Sequence, residues 1–323
     1  MKNILNLINC YHVERKNIVN DKNNEHYINS YVNHIYVINL KDDVIRRNYI
    51  HILMSKYNIN FEFIIVPSLS IEEYEQISNK NINLGEAGCY LSHMYCLNDA
   101  IINKYKNIII FEDDIIFHKR FCDLFEKITF NKKFDLLFLG ASDFNFDKIN
   151  HKFTTENSFV YKPDVGSKYL RGTFSILYSY KACLEVFNNR LFKATFIDDN
   201  LIQFIHSFSN SFYICHPNIV IADLSTTNIE HNFSIENKIK ETYYYKKCYN
   251  SSINFYDYNY IYVKLLQNIN INNIDNKLSY KNNIQKLLRL FFRKQEDIDI
   301  IEERFSYNFF TETDLIYICK LNV

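Results

Sequence analysis

The sequence has 323 residues, which is enough for one large α/β domain with an appendage or for two small domains. Its 37 basic and 37 acidic residues give a formal net charge of zero, which argues against a nucleic-acid binder held mainly by phosphate contacts. Eight scattered cysteines without a Cys-x-x-Cys pair predict reduced thiols. Because we find neither a secretory signal nor a run of roughly 20 apolar residues, we expect a cytoplasmic protein without a membrane span.

The predicted elements alternate between strands and helices after a polar, Asn-rich N-terminal extension (1–30), which we interpret as a short helix and a linker. Apolar β-branched runs predict four strands, at 34–40, 61–66, 107–111 and 135–139. Helical spacing of apolar residues lies between them, at 44–57, 87–101 and 121–128. This alternation predicts βαβ units and a mixed, mainly parallel sheet.

The second half of the chain continues the domain and then changes character. Strands are predicted at 173–179, 212–215 and 219–222, and helices at 181–189 and from Asp198 onward. We place one domain over 31–235. The remaining residues, 236–323, are rich in Tyr and Asn and predict a helical region that packs on the domain or forms a homodimer contact.

A run of three acidic residues, Glu112, Asp113 and Asp114, follows directly on the predicted strand at 107–111. In open α/β sheets, ligands bind beyond the carboxyl ends of strands. Adjacent carboxylates repel one another unless a cation or hydrogen-bond donors neutralise them. Because Mg²⁺ and Mn²⁺ take oxygen ligands and bridge diphosphate oxygens, the run predicts a metal site; a solvated acidic loop is the alternative.

Two further segments carry polar residues at the ends of predicted elements. In GEAGCYLSH (85–93), glycines beside an acidic residue at a helix start leave backbone N–H groups for an anion. Glu86 and His93 are seven residues apart and share a helix face, although a lone helical histidine is often structural. The strand at 34–40 is followed by Arg46 and Arg47, which predict a nucleotide or phosphate contact unless they are merely solvated.

Order and spacing of these segments resemble glycosyltransferase family 25, which includes bacterial lipooligosaccharide galactosyltransferases and collagen hydroxylysine galactosyltransferases. The resemblance rests on VINLKDDVIRR (37–47), GEAGCYLSH (85–93) and IIIFEDD (108–114). It extends through RGTFSILYSYKA (171–182), FIDDNL (196–201) and CHPNIV (215–220), so that it covers residues from about 33 to about 230.

The resemblance implies a Rossmann-like GT-A-type fold for nucleotide sugars. It also implies a UDP-sugar donor and Mn²⁺ or Mg²⁺ as the cofactor. The expected reaction is transfer of a hexose, galactose or glucose, with inversion, onto a hydroxyl of a glycan or a collagen-like protein. The acidic run is then the expected DXD-like motif.

The same resemblance assigns roles to individual residues. Asp114 is the expected direct metal ligand, and Glu112 and Asp113 bind the ribose or support the metal. Asp198 or Asp199 is the candidate general base that deprotonates the acceptor hydroxyl, with an ordinary helix N-cap as the alternative.

The remaining assignments concern the donor. Residues expected near the nucleotide are Asn39, Leu40, Arg46 and Arg47. Glu86 is expected to bind the sugar or brace the donor loop. Further metal or diphosphate contacts are expected from His93, His216 and His231.

Two other functions stay open at this point. A metal-dependent phosphoesterase or nuclease could use the same carboxylates, although the neutral charge disfavours a nuclease. A catalytically inactive module that binds a sugar or nucleotide could retain the same fold. Donor binding without turnover would distinguish that module from an enzyme.

Overall fold

The structure is a computed structural model that describes residues 6–8, 11, 13–20, 26–77, 82–130, 132–143, 153–154, 157–162, 170–190, 211–222 and 256–257. The helix predicted from Asp198 lies outside these residues. The predicted helical C-terminal region also lies outside them, apart from Tyr256 and Asp257.

The described strands and helices follow the predicted alternation. The strands are β1 Glu14–Ile18, β2 His34–Leu40, β3 Phe61–Val66, β4 Asn107–Glu112, β5 Ile115–Phe117, β6 Leu136–Phe138, β7 Ser142–Asp143, β8 Phe153–Thr154, β9 Asn157–Tyr161, β10 Leu170–Arg171, β11 Ser175–Ser179, β12 Phe212–Cys215 and β13 Val220–Ala222. The helices are α1 Tyr27–Tyr31, α2 Val44–Lys56, α3 Ile71–Ile77, α4 Leu84–Ile102, α5 Phe121–Thr129 and α6 Tyr180–Arg190.

Nine of these strands form one mixed sheet in the order β1-β3-β2-β4-β11-β6-β12-β9-β8. Six of them (β2, β3, β4, β6, β8 and β12) point one way, and β1, β9 and β11 point the other. The predicted α/β class with a mixed, mainly parallel sheet is therefore confirmed, and it agrees with a GT-A-like fold.

Helices cover both faces of the sheet, which explains why its central strands are apolar runs without alternation. In β4, Ile109 and Phe111 face a core shared with α1, α2 and α5. Ile108 and Ile110 face a second core shared with α3, α4 and α6. Both faces of the strand are thus buried, and its polar carboxyl end is left at the edge of the sheet.

The edge strand β1 was not predicted, because its residues are polar and the N-terminal extension was interpreted as a helix and a linker. The strand pairs antiparallel with β3. Arg15 anchors it, donating hydrogen bonds to Glu62 at 2.6 Å and to Asp99 at 2.6 Å. Glu62 and Asp99 lie in β3 and α4, so charge pairing rather than an apolar face attaches this strand.

Tyr256 and Asp257 contact the domain at the end of β5. Tyr256 forms an antiparallel bridge with His118, and the Asp257 backbone N–H donates to the Phe117 carbonyl at 3.1 Å. The Asp257 carboxylate accepts hydrogen bonds from Lys56, at 2.6 Å, and from the Tyr57 hydroxyl. These contacts hold the end of β5 on one side, while β13 pairs with it on the other.

Two glycines provide a matched test of the packing. A Cβ at Gly140 would lie 1.8 Å from the Val220 carbonyl oxygen, whereas a Cβ at Gly88 in α4 would make ordinary contacts with Leu69 at 3.9 Å. We expect Gly140→Ala to lower the free energy of unfolding by about 1–3 kcal/mol through overpacking. Gly88→Ala should raise it by up to about 1 kcal/mol through helix propensity. Urea unfolding of both variants measures the difference, and equal effects would contradict the packing described for Gly140.

Candidate active site

The site begins with the parallel pairing of β2 and β4. In this register Ile38 lies opposite Glu112, so Asn39 and Asp113 follow together at the carboxyl ends of adjacent strands. Both side chains are buried. The Asn39 amide Nδ2 donates to Asp113 Oδ2 at 2.7 Å and to the Asp43 carbonyl at 3.1 Å. The two strand ends therefore meet through a direct side-chain contact.

The first turn of α2 supplies a positively charged side chain, that of Arg46. Asp43 is the N-cap, and its carboxylate accepts from the Arg46 backbone N–H at 3.1 Å. This cap starts the helix immediately after β2 and turns Arg46 toward the acidic run. The Arg46 guanidinium donates to Asp113 Oδ1 at 2.8 Å and lies 4.0 Å from Asp114 Oδ2.

Arg47 holds the backbone of the same loop. Its Nε donates to Asn39 Oδ1 at 2.7 Å, and its terminal nitrogen donates to the carbonyls of Leu40, at 3.1 Å, and Lys41, at 2.6 Å. Both arginines thus make side-chain contacts at the ends of β2 and β4 and are not merely solvated, while their contact with a nucleotide stays a prediction. Leu40 contributes its carbonyl to this arrangement.

Burial and neighbouring charges shift the pKa values of Arg46 and Asp113 in opposite directions. Burial acts to lower the pKa of Arg46, but the carboxylates of Asp113, Asp114 and Asp43 raise it above its ordinary value, so the guanidinium stays charged. Burial raises the pKa of the Asp113 carboxyl, and the Arg46 charge and the Asn39 amide only partly offset that rise. Asp113 therefore depends on Arg46 for its ionised form.

The third member of the acidic run, Glu112, faces α4. Its Oε1 lies 3.2 Å from His93 Nε2 and 4.0 Å from the Cys89 thiol sulfur, and it accepts a hydrogen bond from the Thr173 hydroxyl at 2.7 Å. Burial acts to raise the pKa of Glu112, but His93, Thr173 and the Arg46 charge lower it below its ordinary value. These contacts all involve Oε1 and favour the ionised carboxylate. The Glu112 side chain is 21% exposed.

The other predicted site residues are placed as follows. Glu86 belongs to a capping box: Asn83 caps α4, and the Glu86 carboxylate accepts from the Asn83 backbone N–H at 2.6 Å. His216 follows β12, and its ring lies 6.3 Å from that of Tyr161. Three predicted residues, Asp198, Asp199 and His231, lie outside the described residues. The functional roles assigned to all five stay predictions.

Three residues of the site were not singled out as site residues from the sequence. Asp43 was given no role, although an Asp before a helical run is an N-cap signal. Thr173 was passed over although the RGTF segment was noted, because the antiparallel pairing of β11 with β4 is not visible in the sequence. Cys89 lay within a noted motif and was given no role.

The charge balance of the site suits a divalent cation. Three carboxylates (Asp43, Asp113 and Asp114) lie within 4.0 Å of the Arg46 guanidinium, which leaves an excess of two negative charges when all three are ionised. Carboxylate oxygens are the ligands that a hard cation prefers, so the acidic run is chemically compatible with Mn²⁺ or Mg²⁺. Which of its residues would hold the cation stays a prediction.

Comparison with known proteins supports a glycosyltransferase. Residues 32–181, a little under half of the chain, match the model of glycosyltransferase family 25, described as an LPS biosynthesis protein. A Haemophilus influenzae protein named "Putative glycosyltransferase" is 39% identical over 92 residues, which are 25% of this chain and 32% of that protein. The match therefore spans about a third of that relative's length. None of the described helices is long and apolar enough to cross a membrane.

Removal of Arg46 tests the electrostatic description of the site. Arg46→Met leaves Asp113 buried without its cation, and we expect it to lower the free energy of unfolding by about 3–5 kcal/mol at about pH 8. The loss should shrink toward about pH 5, because the raised pKa lets the folded state bind a proton at Asp113 more readily than the unfolded chain. Urea unfolding at both pH values measures this dependence.

A matched control uses the exposed pair of Arg120 and Asp123, whose side chains are 59% and 64% exposed. Arg120→Met should change the free energy of unfolding by less than about 1 kcal/mol at either pH. A loss in Arg46→Met that is no larger than this, or that is the same at both pH values, would contradict a buried ion pair with Asp113.

Proposed function

We propose that this protein is a glycosyltransferase of family 25 that transfers a hexose, galactose or glucose, from a UDP-sugar to a hydroxyl acceptor. The acceptor is a glycan or a collagen-like protein, and the reaction is inverting and metal-dependent. One observation carries the proposal: the three segments that resemble the family, far apart in the sequence, meet at the carboxyl ends of β2 and β4. A family-model match over residues 32–181 and the named relative support the same class.

The proposed donor lies along this edge of the sheet. In open α/β folds ligands bind beyond the carboxyl ends of the strands, and here that edge carries Asn39, Asp113 and the first turn of α2. The hydrogen bonds of Arg47 to Asn39 and to the carbonyls of Leu40 and Lys41 hold the backbone against which a nucleotide would lie. Glu112 and Asp113 are then available to the ribose or to support the metal.

Asp114 is the residue that would hold the metal, Mn²⁺ or Mg²⁺. When bound, the cation supplies charge stabilisation for the leaving nucleoside diphosphate. Arg46 holds Asp113 and lies toward Asp114, so it fixes the orientation of the acidic run before any donor arrives. Such fixed charges avoid reorganisation at the moment of reaction.

The acceptor hydroxyl must lose its proton as it attacks the anomeric carbon, which requires a general base. Asp198 and Asp199 are the proposed candidates by the resemblance of FIDDNL to the family segment. The transfer breaks the bond between the anomeric carbon and the diphosphate oxygen, and it forms a bond to the acceptor oxygen. The acceptor proton passes to the base.

The position of Arg46 favours a transferase site with one metal ion over a two-metal phosphoesterase. Two-metal sites hold their cations about 3.5–4 Å apart between shared carboxylates. Here the guanidinium of Arg46 lies between Asp113 and Asp114, at 2.8 Å and 4.0 Å, where a second cation would otherwise bind. A single hard cation at Asp114 is compatible with that arrangement.

Slow hydrolysis of a UDP-sugar panel tests the proposal. The wild type should release UDP from one hexose donor in the presence of Mn²⁺ and much less without it. Asp114→Ala should reduce the rate on the order of 100-fold or more, since metal charge stabilisation contributes several kcal/mol. Asp123→Ala, which changes an exposed aspartate on α5, is the matched control and should leave the rate unchanged.

The other outcomes discriminate the alternatives. UDP binding without release from any donor would indicate the inactive binding module. Neither binding nor release would contradict the glycosyltransferase proposal. Hydrolysis of a phosphomonoester or phosphodiester, lost in Asp114→Ala, would indicate the phosphoesterase.

A further inference from the structure

We propose that Cys89, His93 and Glu112 form a second metal site, suited to a borderline cation such as Zn²⁺ and separate from the hard-cation site at Asp114. This proposal concerns the cluster between α4 and β4, which shares Glu112 with the proposed donor site, and it does not depend on the transferase proposal. The three residues each offer one ligand atom, and these atoms lie within 4.8 Å of one another.

The local structure brings the three ligands together. Cys89 and His93 are four residues apart in α4, so their side chains project from one face of the helix. Glu112 is the last residue of β4 and reaches toward that face. Two side chains of one helix, at positions i and i+4, and one carboxylate from a strand therefore form a compact ligand set on two elements of regular secondary structure.

The distances are close to those of a tetrahedral zinc site. With bonds of about 2.3 Å to sulfur and about 2.0–2.1 Å to nitrogen and oxygen, ligand atoms lie about 3.4 Å apart for N and O and about 3.6 Å apart for S and O. The observed separations are 3.2 Å for His93 Nε2 to Glu112 Oε1 and 4.0 Å for Cys89 Sγ to the same oxygen. The thiol sulfur and an imidazole nitrogen of His93 lie within 4.8 Å of each other, so a side-chain movement of Cys89 toward the other two ligand atoms completes the set.

The ligand chemistry selects the cation. Thiolate and imidazole favour Zn²⁺ or Co²⁺ over Mn²⁺ and Mg²⁺, which prefer oxygen ligands. Three protein ligands leave a fourth position for water or an anion. Thr173 donates to Glu112 at 2.7 Å and orients the carboxylate in the way that outer hydrogen bonds orient metal ligands.

The surroundings of His93 set the strength of the site. The ring is fully buried, and its Nδ1 has no hydrogen-bond partner among the described residues. A metal at Nε2 requires the proton at Nδ1, where a partner would normally stabilise it. We therefore expect an exchangeable site, which a chelator empties without unfolding the protein, rather than a structural zinc.

Cobalt titration of the full chain tests the proposal. After treatment with a chelator, titration of the wild type with Co²⁺ should give visible d–d absorption and a sulfur-to-cobalt charge-transfer band, and the charge-transfer band should saturate at one equivalent for this site. Stoichiometric Zn²⁺ should abolish both. Cys89→Ser should lose the charge-transfer band, whereas Cys122→Ser, which changes a partly buried thiol on α5, should keep it.

Absence of the band in the wild type, or an equal band in Cys89→Ser, would overturn the proposal. If Cys89→Ser does not fold, X-ray absorption of the zinc-loaded wild type gives the answer: one sulfur at about 2.3 Å supports the site, and nitrogen and oxygen ligands alone contradict it. No nucleotide or acceptor takes part, so failure here leaves the donor-hydrolysis result unaffected.

Discussion

The parallel register of β2 with β4 is the constraint on which the candidate site depends. Because Ile38 lies opposite Glu112, the next residues of both strands, Asn39 and Asp113, meet beyond the last backbone pairing. A shift by one residue would turn Asn39 to the other face of the sheet and separate it from Asp113. The apolar residues of β4, buried on both faces, make such a shift costly. The same packing that stabilises the core therefore aligns the polar groups at its edge.

Around that contact the protein neutralises its own acidic run. Arg46 holds Asp113 and faces Asp114, while His93 and Thr173 hold Glu112. Each carboxylate thus keeps a fixed orientation in a partly buried place where an unpaired charge would be costly. The excess of two negative charges that remains is the feature that suits a divalent cation. Pre-orientation and residual charge together connect the fold to the proposed transfer reaction.

Much of this arrangement could be predicted from the sequence, and the misses have physical reasons. The strands at 34–40, 61–66 and 107–111 are apolar runs, and the acidic run follows the last of them, so their positions could be predicted. β1 was missed because Arg15 attaches it through Glu62 and Asp99, a long-range charge contact without an apolar pattern. Thr173 was missed because β11 reaches Glu112 through antiparallel pairing with β4, which a sequence-local pattern does not reveal.

A crystal structure of the protein with UDP and Mn²⁺ would show where the donor binds. We expect the diphosphate and the cation at the carboxyl ends of β2 and β4, with Asp114 as a metal ligand and the nucleotide against the loop that Arg47 holds. A nucleotide bound at another edge of the sheet, or a cation that does not contact Asp114, would contradict this expectation.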